Sequence, residues 1–218
     1  FKPLFVQWQQ IIVVASVLSM ALGAFAALRQ QNIKRLMGYS SIGNVGYILL
    51  GLASGSEKGI QAVVFYLAIY LVMTLGVFAT ILMMKRRDVM LEDISDLAGL
   101  ARNQPMMAFA LLIFMFSLAG IPPLAGFWGK LYIFIAAVEA KLYIPAVLGV
   151  LASVVASYYY LRIVKVMYFD EPAEAIDRPA FGINRAVALV AAFIVAVFSL
   201  VPQPLSVVAA AAAKGLFP

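Results

Sequence analysis

Long runs of apolar residues, broken by short polar stretches, dominate this chain. Six stand out, over about residues 8–28, 37–53, 60–84, 105–138, 142–164 and 186–200. A hydrocarbon core of about 30 Å is crossed by about 20 helical residues, each rising about 1.5 Å. Five of the runs match one crossing each, allowing for tilt and frayed ends. The run 105–138 does not, because its roughly 34 residues would extend about 51 Å as one helix. In its middle lies Gly120-Ile121-Pro122-Pro123. Paired prolines remove two amide donors and disfavour helix just before them. The pattern therefore predicts two half-helices joined by a short link at membrane depth, tolerated where protein or a wet cavity surrounds it and recurrent at transport sites. The alternative is a hairpin of two crossings, each left with only about 16 residues. The expected fold class is an all-α polytopic membrane protein, one transmembrane domain over residues 1–218. It has about six transmembrane helices, one of them broken at Gly120–Pro123. Segments of about ten alternating residues, as a transmembrane barrel requires, are not seen.

Composition agrees: 65% of the 218 residues are apolar and 12% charged, with a mean hydropathy of +1.00. Soluble domains hold roughly 45–50% and about 25%. Cysteine and histidine are both absent from the sequence. This excludes disulfides, thiolate or imidazole zinc sites, iron–sulfur ligation, histidine-ligated haem, cysteine nucleophiles and histidine triads. No phosphate-cradling glycine loop or dinucleotide fingerprint occurs. The expectation is no cofactor and no metal in this chain.

The net charge of +6 invites a nucleic-acid reading, but the basic residues lie in loops between apolar runs, which is the pattern of membrane orientation. The bilayer, not nucleic acid, is the expected partner. With six crossings, three connections share one side and carry Arg29, Lys34, Arg35, Lys85, Arg86, Arg87, Arg102, Arg162, Lys165, Arg178 and Arg185. The other side carries Lys2, Lys58, Lys141 and Lys214. The excess predicts that the first side is cytoplasmic and that both ends, the C-terminus included, are outside. A hairpin at 105–138 would split the positive charges between the two sides. The chain opens on Phe1 without a signal segment, so it is expected to be the C-terminal part of a longer protein.

The remaining basic residue, Lys130, lies inside the broken run, about 12 Å below its outer edge at about 1.5 Å per residue. A lysine at a bilayer centre costs about 2.5–3.5 kcal/mol or more. It is either snorkelling or internally paired, or it faces a cavity on an ion path, where burial lets it lose and regain a proton. The adjoining helix break favours the second reading. Glu139 is the one acid near the apolar runs, and it lies at their rim. A buried carboxylate partner for Lys130 would therefore come from elsewhere.

The second run is the next most polar. Ser40, Asn44 and Tyr47 share one helical face by i, i+4, i+7 spacing, with Ser41 beside them. They could order water, but in membranes such groups more often serve as packing glue. Tyr66, Tyr70 and Thr74 repeat every four residues on the third run, and the packing reading applies to them with more force. Ser153 and Ser157 on the fifth run are a weaker signal still, and Tyr158-Tyr159-Tyr160 fits an interfacial aromatic belt. Lys34 and Arg35, at the cytoplasmic entrance of the second run, either fix orientation or bias proton entry. The stretch from Lys85 to Asp96 reads as a solvated or subunit-contacting loop.

Gln31-Asn32-Ile33-Lys34-Arg35-Leu36-Met37-Gly38-Tyr39-Ser40-Ser41-Ile42 resembles a stretch of the antiporter-like membrane subunits of respiratory complex I, the proton-pumping NADH:quinone oxidoreductase. Ser117-Leu118-Ala119-Gly120-Ile121-Pro122-Pro123-Leu124-Ala125-Gly126-Phe127-Trp128-Gly129-Lys130 resembles the broken helix of the same family. Tyr158-Tyr159-Tyr160-Leu161-Arg162 and Val201-Pro202-Gln203-Pro204-Leu205 are similar to its N branch, the best match. The resemblance runs over essentially the whole chain. It implies the last six of fourteen helices, with Lys130 as the proton-transferring lysine in the output half of a channel. Lysine there, rather than glutamate, speaks against the M branch, and the early end after the last run against the L branch. The family often has a histidine where this chain has Asn44, which orders water but cannot titrate.

The function so implied is proton translocation, with Ser40, Ser41, Asn44, Tyr47, Tyr66, Tyr70 and Thr74 as candidate channel lining and Gly120, Pro122 and Pro123 as the flexible break. NADH, flavin, iron–sulfur clusters and quinone would belong to partner subunits. Other complex I membrane subunits, neighbouring antiporter-like ones among them, are the expected partners. The alanine-rich composition favours a bacterial inner membrane over the mitochondrial one. Two rivals remain: a subunit of a multi-subunit cation/proton antiporter, and a structural or assembly subunit in which Lys130 only packs.

Overall fold

The computed structural model describes residues 5–177, 182–198 and 202–215. Lys2, Arg178, Pro179 and the last two residues of the 186–200 run lie outside the described residues. The chain forms α1 (Phe5–Leu28), α2 (Ile33–Ala53), α3 (Glu57–Ile81), a small hairpin of β1 (Lys85–Arg86) and β2 (Val89–Met90), then α4 (Leu100–Asn103). It continues with α5 (Pro105–Ala119), α6 (Ala125–Glu139), α7 (Tyr143–Phe169), α8 (Ile183–Phe198) and α9 (Gln203–Lys214).

Among the described residues, four helices are long and apolar enough to cross a bilayer: Gln7–Leu28, Ile33–Ala53, Glu57–Ile81 and Tyr143–Phe169. α8 and α9 meet at 90° and reach that length only together. Length alone thus yields four to five crossings where the apolar pattern suggested six. The difference lies in α5 and α6, each of 15 residues, and in α8, of 16. Helix ends also shift. α2 begins at Ile33 rather than about 37, because Asn32 caps it by accepting from Arg35 N–H at 3.0 Å, as capping asparagines do. α3 runs 57–81 rather than 60–84, its start capped by Ser56 accepting from Gly59 N–H at 3.1 Å. α7 continues to Phe169, five residues past the apolar limit. α9 is a helix that the hydrophobic pattern did not assign.

Polar connections gather at the two ends of the bundle. The end that carries residues 82–104 and the start of α2 is called here the basic end, and the opposite one the far end. α1 turns Ile11, Val14, Leu18, Leu22 and Phe25 outward, an exposed apolar row at helical spacing. Its other face meets α2 so closely that a Cβ on Gly23 would lie 2.4 Å from Gly43 N, the small-residue contact by which membrane helices approach.

The Lys85–Asp96 stretch is not a plain solvated loop. The hairpin closes through Arg87 and Asp88, both with positive φ, as the twist of a two-residue turn demands. Leu91, Ile94 and Leu97 are buried and seal the basic end of the helices. The cap is tied to the rest of the fold by Ile33 N–H to Glu92 O at 2.7 Å, Ile94 N–H to Gln31 O at 2.8 Å and Asp177 N–H to Lys85 O at 2.8 Å. Arg86 meets Asp96 at 3.2 Å and Arg87 meets Glu174 at 2.8 Å.

The buried side chains fall into two clusters. The larger fills the basic end and surrounds the α5–α6 junction, with Phe65, Met73, Phe114, Leu118 and Ile163 among its members. The smaller lies toward the far end, with Met20, Tyr47, Leu50, Ile133 and Ala146.

Candidate proton-transfer site at the helix break

The break over residues 120–124 is built by its sequence. Gly120 takes φ +84, a conformation that costs other residues their Cβ contact. Its N–H bonds Ser117 O at 3.0 Å, and Ile121 N–H bonds Phe116 O at 3.0 Å, the pair of bonds by which glycine closes a helix. The prolines then prevent the helix from resuming, and the Pro122–Pro123 peptide is cis. α6 restarts against the same turn, where Gly126 N–H donates to Ser117 Oγ at 2.9 Å. Gly126 has no room for a side chain: a Cβ would lie 2.0 Å from Ser117 O.

The closure leaves the carbonyls of Leu118 and Ala119 without a donor from their own helix. Side chains supply both. Lys130 Nζ donates to Leu118 O at 2.8 Å, and Ser157 Oγ donates to Ala119 O at 3.3 Å. Lys130 Nζ also donates to Ser153 Oγ at 3.1 Å and lies 5.0 Å from the centre of the Tyr47 ring. The lysine is 5% exposed, and its tail passes over Gly120, where a Cβ would stand 3.3 Å from Lys130 Cδ. Its surroundings thus offer a helix C-terminus, whose partial negative charge favours a cation, one hydroxyl and one aromatic face. Among the described residues its ammonium has no ion pair. Glu139 pairs instead with Lys58 at 2.8 Å near the far end.

On the basic side of Lys130 runs a string of hydrogen bonds across three helices. Tyr66 Oη donates to Asn44 Oδ1 at 2.6 Å. Asn44 Nδ2 donates to Ser40 O at 2.9 Å and lies 3.3 Å from Ser40 Oγ. Ser40 Oγ in turn bonds Tyr160 Oη. Tyr66 reaches this position because Gly129 leaves space; a Cβ there would be 2.3 Å from the Tyr66 ring. Tyr70 Oη donates to Ser41 Oγ at 2.8 Å, a second link between α2 and α3.

The structure therefore gathers Ser40, Asn44, Tyr47, Tyr66 and the break residues around Lys130, with Ser41 and Tyr70 beside them. Thr74 stands apart from the string: it lines an apolar groove with Leu67, Ala68, Tyr70 and Leu71, and its buried hydroxyl has no partner among the described residues. Lys34 and Arg35 are also remote from the string. Lys34 Nζ lies 2.7 Å from Glu92 Oε1, and Asn32 Nδ2 donates to Glu92 Oε2 at 2.7 Å. The Lys34 hydrogen bond first, and then that of Asn32, holds the Glu92 carboxyl below its ordinary value.

Two readings of α7 need correction. Tyr159 and Tyr160 are not belt residues: Tyr158 is 62% exposed, but Tyr160 is 1%, because only one of three consecutive helical positions can face outward. Ser153 and Ser157, the weakest polar pair in the sequence, are the ones that meet Lys130 and the broken end of α5. Their i, i+4 spacing was the available signal.

Long apolar helices packed in one bundle, one of them broken beside a buried lysine, define a polytopic membrane protein, and a buried intramembrane lysine is a candidate functional group. The model of the NADH:quinone oxidoreductase/Mrp antiporter transmembrane family matches residues 1–156, and the chain belongs to that family. It is 56% identical over 218 residues to NADH-quinone oxidoreductase subunit N of Paramagnetospirillum magneticum, covering 100% of this chain and 45% of that protein. Among solved structures, respiratory complex I from Thermus thermophilus with bound Aureothin matches at TM-score 0.80 and 34% identity, over 90% of this chain and 44% of the matched one. The Mrp complex of Dietzia sp. matches at TM-score 0.83 and 24% identity, over 96% and 47%, which speaks for the fold alone. The chain spans less than half the length of the curated relatives it matches. It is a multi-pass, antiporter-like inner-membrane protein.

Proposed function

We propose that this chain is the proton-translocating part of a longer antiporter-like subunit of NADH:quinone oxidoreductase, corresponding to the last six of fourteen helices. In this reading α5 and α6 form one broken crossing, α8 crosses once, and both ends lie outside. Lys130 takes up a proton through water that enters along the Ser40–Asn44–Tyr66 side. It releases the proton outward when a neighbouring charge changes. Lys34 and Arg35 lie on the cytoplasmic side. NADH, flavin, iron–sulfur clusters and quinone are held by partner subunits, and energy reaches this chain through its neighbours in the membrane.

The observation that carries the reading is Lys130 itself, 5% exposed beside the helix break and without a carboxylate among the described residues. A packing lysine would gain little for its cost in an apolar core. The similarity to subunit N relatives supports the redox-driven complex rather than a cation/proton antiporter. Copurification of flavin and iron–sulfur subunits separates these two.

The deciding experiment is proton translocation per NADH oxidised, in vesicles holding the full complex with Lys130→Met. A lower ratio in normally assembled complex is expected. An unchanged ratio would leave Lys130 a structural residue and sink the reading.

A further inference from the structure

The groups around Lys130 Nζ are unequal in what they can do for a proton. The Leu118 carbonyl at 2.8 Å can only accept, so it serves the ammonium and offers nothing to the amine. The Tyr47 ring, 5.0 Å away, attracts a cation and has no comparable hold on a neutral group. Ser153 Oγ, at 3.1 Å, is a hydroxyl. It accepts from the ammonium and, by rotating its own O–H, donates to the lone pair of the amine. Among the described contacts of Nζ it alone fits both charge states in the same place.

α7 holds that hydroxyl in register with the break. Ser157, one turn further along, donates to Ser153 O at 2.9 Å and to Ala119 O at 3.3 Å. The same helix face thus binds the last carbonyl of α5 and the end of the lysine. The lysine tail cannot drift toward α5, because it already rests on Gly120.

We infer that Ser153 is a positioning residue for proton transfer at Lys130: it keeps Nζ at the broken end of α5 in both its charged and its neutral form, and Ser157 fixes the backbone that carries it. This rests on the proposed role of Lys130. A lysine with only Leu118 O and the Tyr47 ring would be held while charged and released once neutral. Re-protonation would then find it out of place.

The test uses the intact complex in vesicles, with protons moved per NADH oxidised measured for Ser153→Thr, Ser153→Val, Ser157→Ala and Lys130→Met, each normalised to assembled complex. Threonine and valine have nearly the same shape and differ in the hydroxyl. The expected result is a near-normal ratio for threonine and a fall toward the Lys130→Met ratio for valine. Ser157→Ala, which loosens the backbone behind Ser153, lowers the ratio by less than valine does. Equal ratios for threonine and valine, alongside a low ratio for Lys130→Met, would overturn the inference and leave the proposed function standing. A normal ratio for Lys130→Met would overturn both.

Discussion

Between Lys130 and the basic end, α2, α3 and α7 are joined through hydroxyls, an amide and phenols: Tyr66, Asn44, Ser40 and Tyr160, with Tyr70 and Ser41 alongside. Between Lys130 and the far end, α2, α6 and α7 are joined through Leu50, Ile133, Ala137, Ala146 and Tyr47. Polar side chains recur nearer that end, where Ser16 Oγ donates to Gly46 O at 2.7 Å, Gln61 Nε2 donates to Ser206 O at 3.2 Å and Lys58 pairs with Glu139 at 2.8 Å. The two halves share α2 and α7 and differ in what a proton would meet. On the basic side it meets groups that can exchange hydrogen bonds with water. On the far side an apolar layer must part before water enters, as hydrophobic constrictions do in channels. A lysine at the boundary between two such layers can be wetted from one side while sealed on the other.

Asn44 qualifies the polar half. Its amide accepts from Tyr66 through Oδ1 and donates to Ser40 through Nδ2, so it links the string while having no proton to lose and regain. Ser40, Asn44 and Tyr66 can orient water, but a protonated intermediate has no seat on that side chain. Lys130 is the one charged residue buried among the described residues.

A substitution does most harm at the junction of the two halves. Gly126→Val sets a side chain where even a Cβ lies 2.0 Å from the Ser117 carbonyl, forcing α5 and α6 apart at a cost of about 1–3 kcal/mol or more. Membranes should hold much less assembled subunit, as read by immunoblot of purified complex. Normal levels would mean that the close α5–α6 contact is dispensable.

A second change attacks the apolar half. Leu50 is fully buried, and Leu50→Ser leaves a cavity and a hydroxyl in its place, costing about 2–5 kcal/mol by analogy with large-to-small core changes. Vesicles holding this complex should leak protons without turnover, measured as decay of an imposed pH gradient. A gradient as durable as that of the unaltered complex would show that Leu50 is no part of the seal.

Tyr66→Phe attacks the polar half. It keeps the ring against Gly129 and leaves Asn44 Oδ1 without its donor, a loss of about 1–3 kcal/mol. The thermal midpoint should fall, while Tyr70→Phe, at a half-buried pair, should lower it less. Equal falls would deny Asn44 its central place in the string.

The smallest effect lies at the cap. Glu92 titrates below its ordinary value because the folded state binds its charged form. The stability it adds is present above the unfolded carboxyl value of about 4.3 and is lost as pH falls through the lower folded value. Amide exchange in residues 85–98 should therefore quicken in acid relative to the helices, and Glu92→Gln should remove most of that pH dependence. Exchange that stays flat across this range would place the hold on the cap in its backbone bonds alone.

Much of this was legible before any coordinates. The apolar runs, the closing glycine with its two prolines and the misplaced charge of Lys130 are local facts. Each follows from what a single segment can do in a bilayer or from what proline and glycine allow the backbone. Ser40, Asn44 and Tyr47 could be placed on one face by spacing alone, and Gly120 could be seen to end a helix. Thr74, by contrast, shares the spacing of Tyr66 and Tyr70 but finds no hydrogen-bond partner among the described residues, since spacing assigns a row and not its partner.

Partner choice required the tertiary structure. Ser153 and Ser157 resemble any i, i+4 serine pair until α7 is laid against the end of α5. Tyr160 resembles a belt residue until its hydroxyl is found at Ser40, far away in sequence. The Lys85–Asp96 stretch looks solvated because its charges outnumber its few apolar residues, yet Leu91, Ile94 and Leu97 are enough to dock it. The sequence by itself determined which segments are apolar, where one of them breaks and which charge is out of place, because these depend on local backbone chemistry and on solvation. Which hydroxyls meet that charge, and which apolar side chains pack beyond it, follows from the tertiary structure. Those choices depend on the rotation of each helix about its axis, and that is fixed by packing against all its neighbours at once.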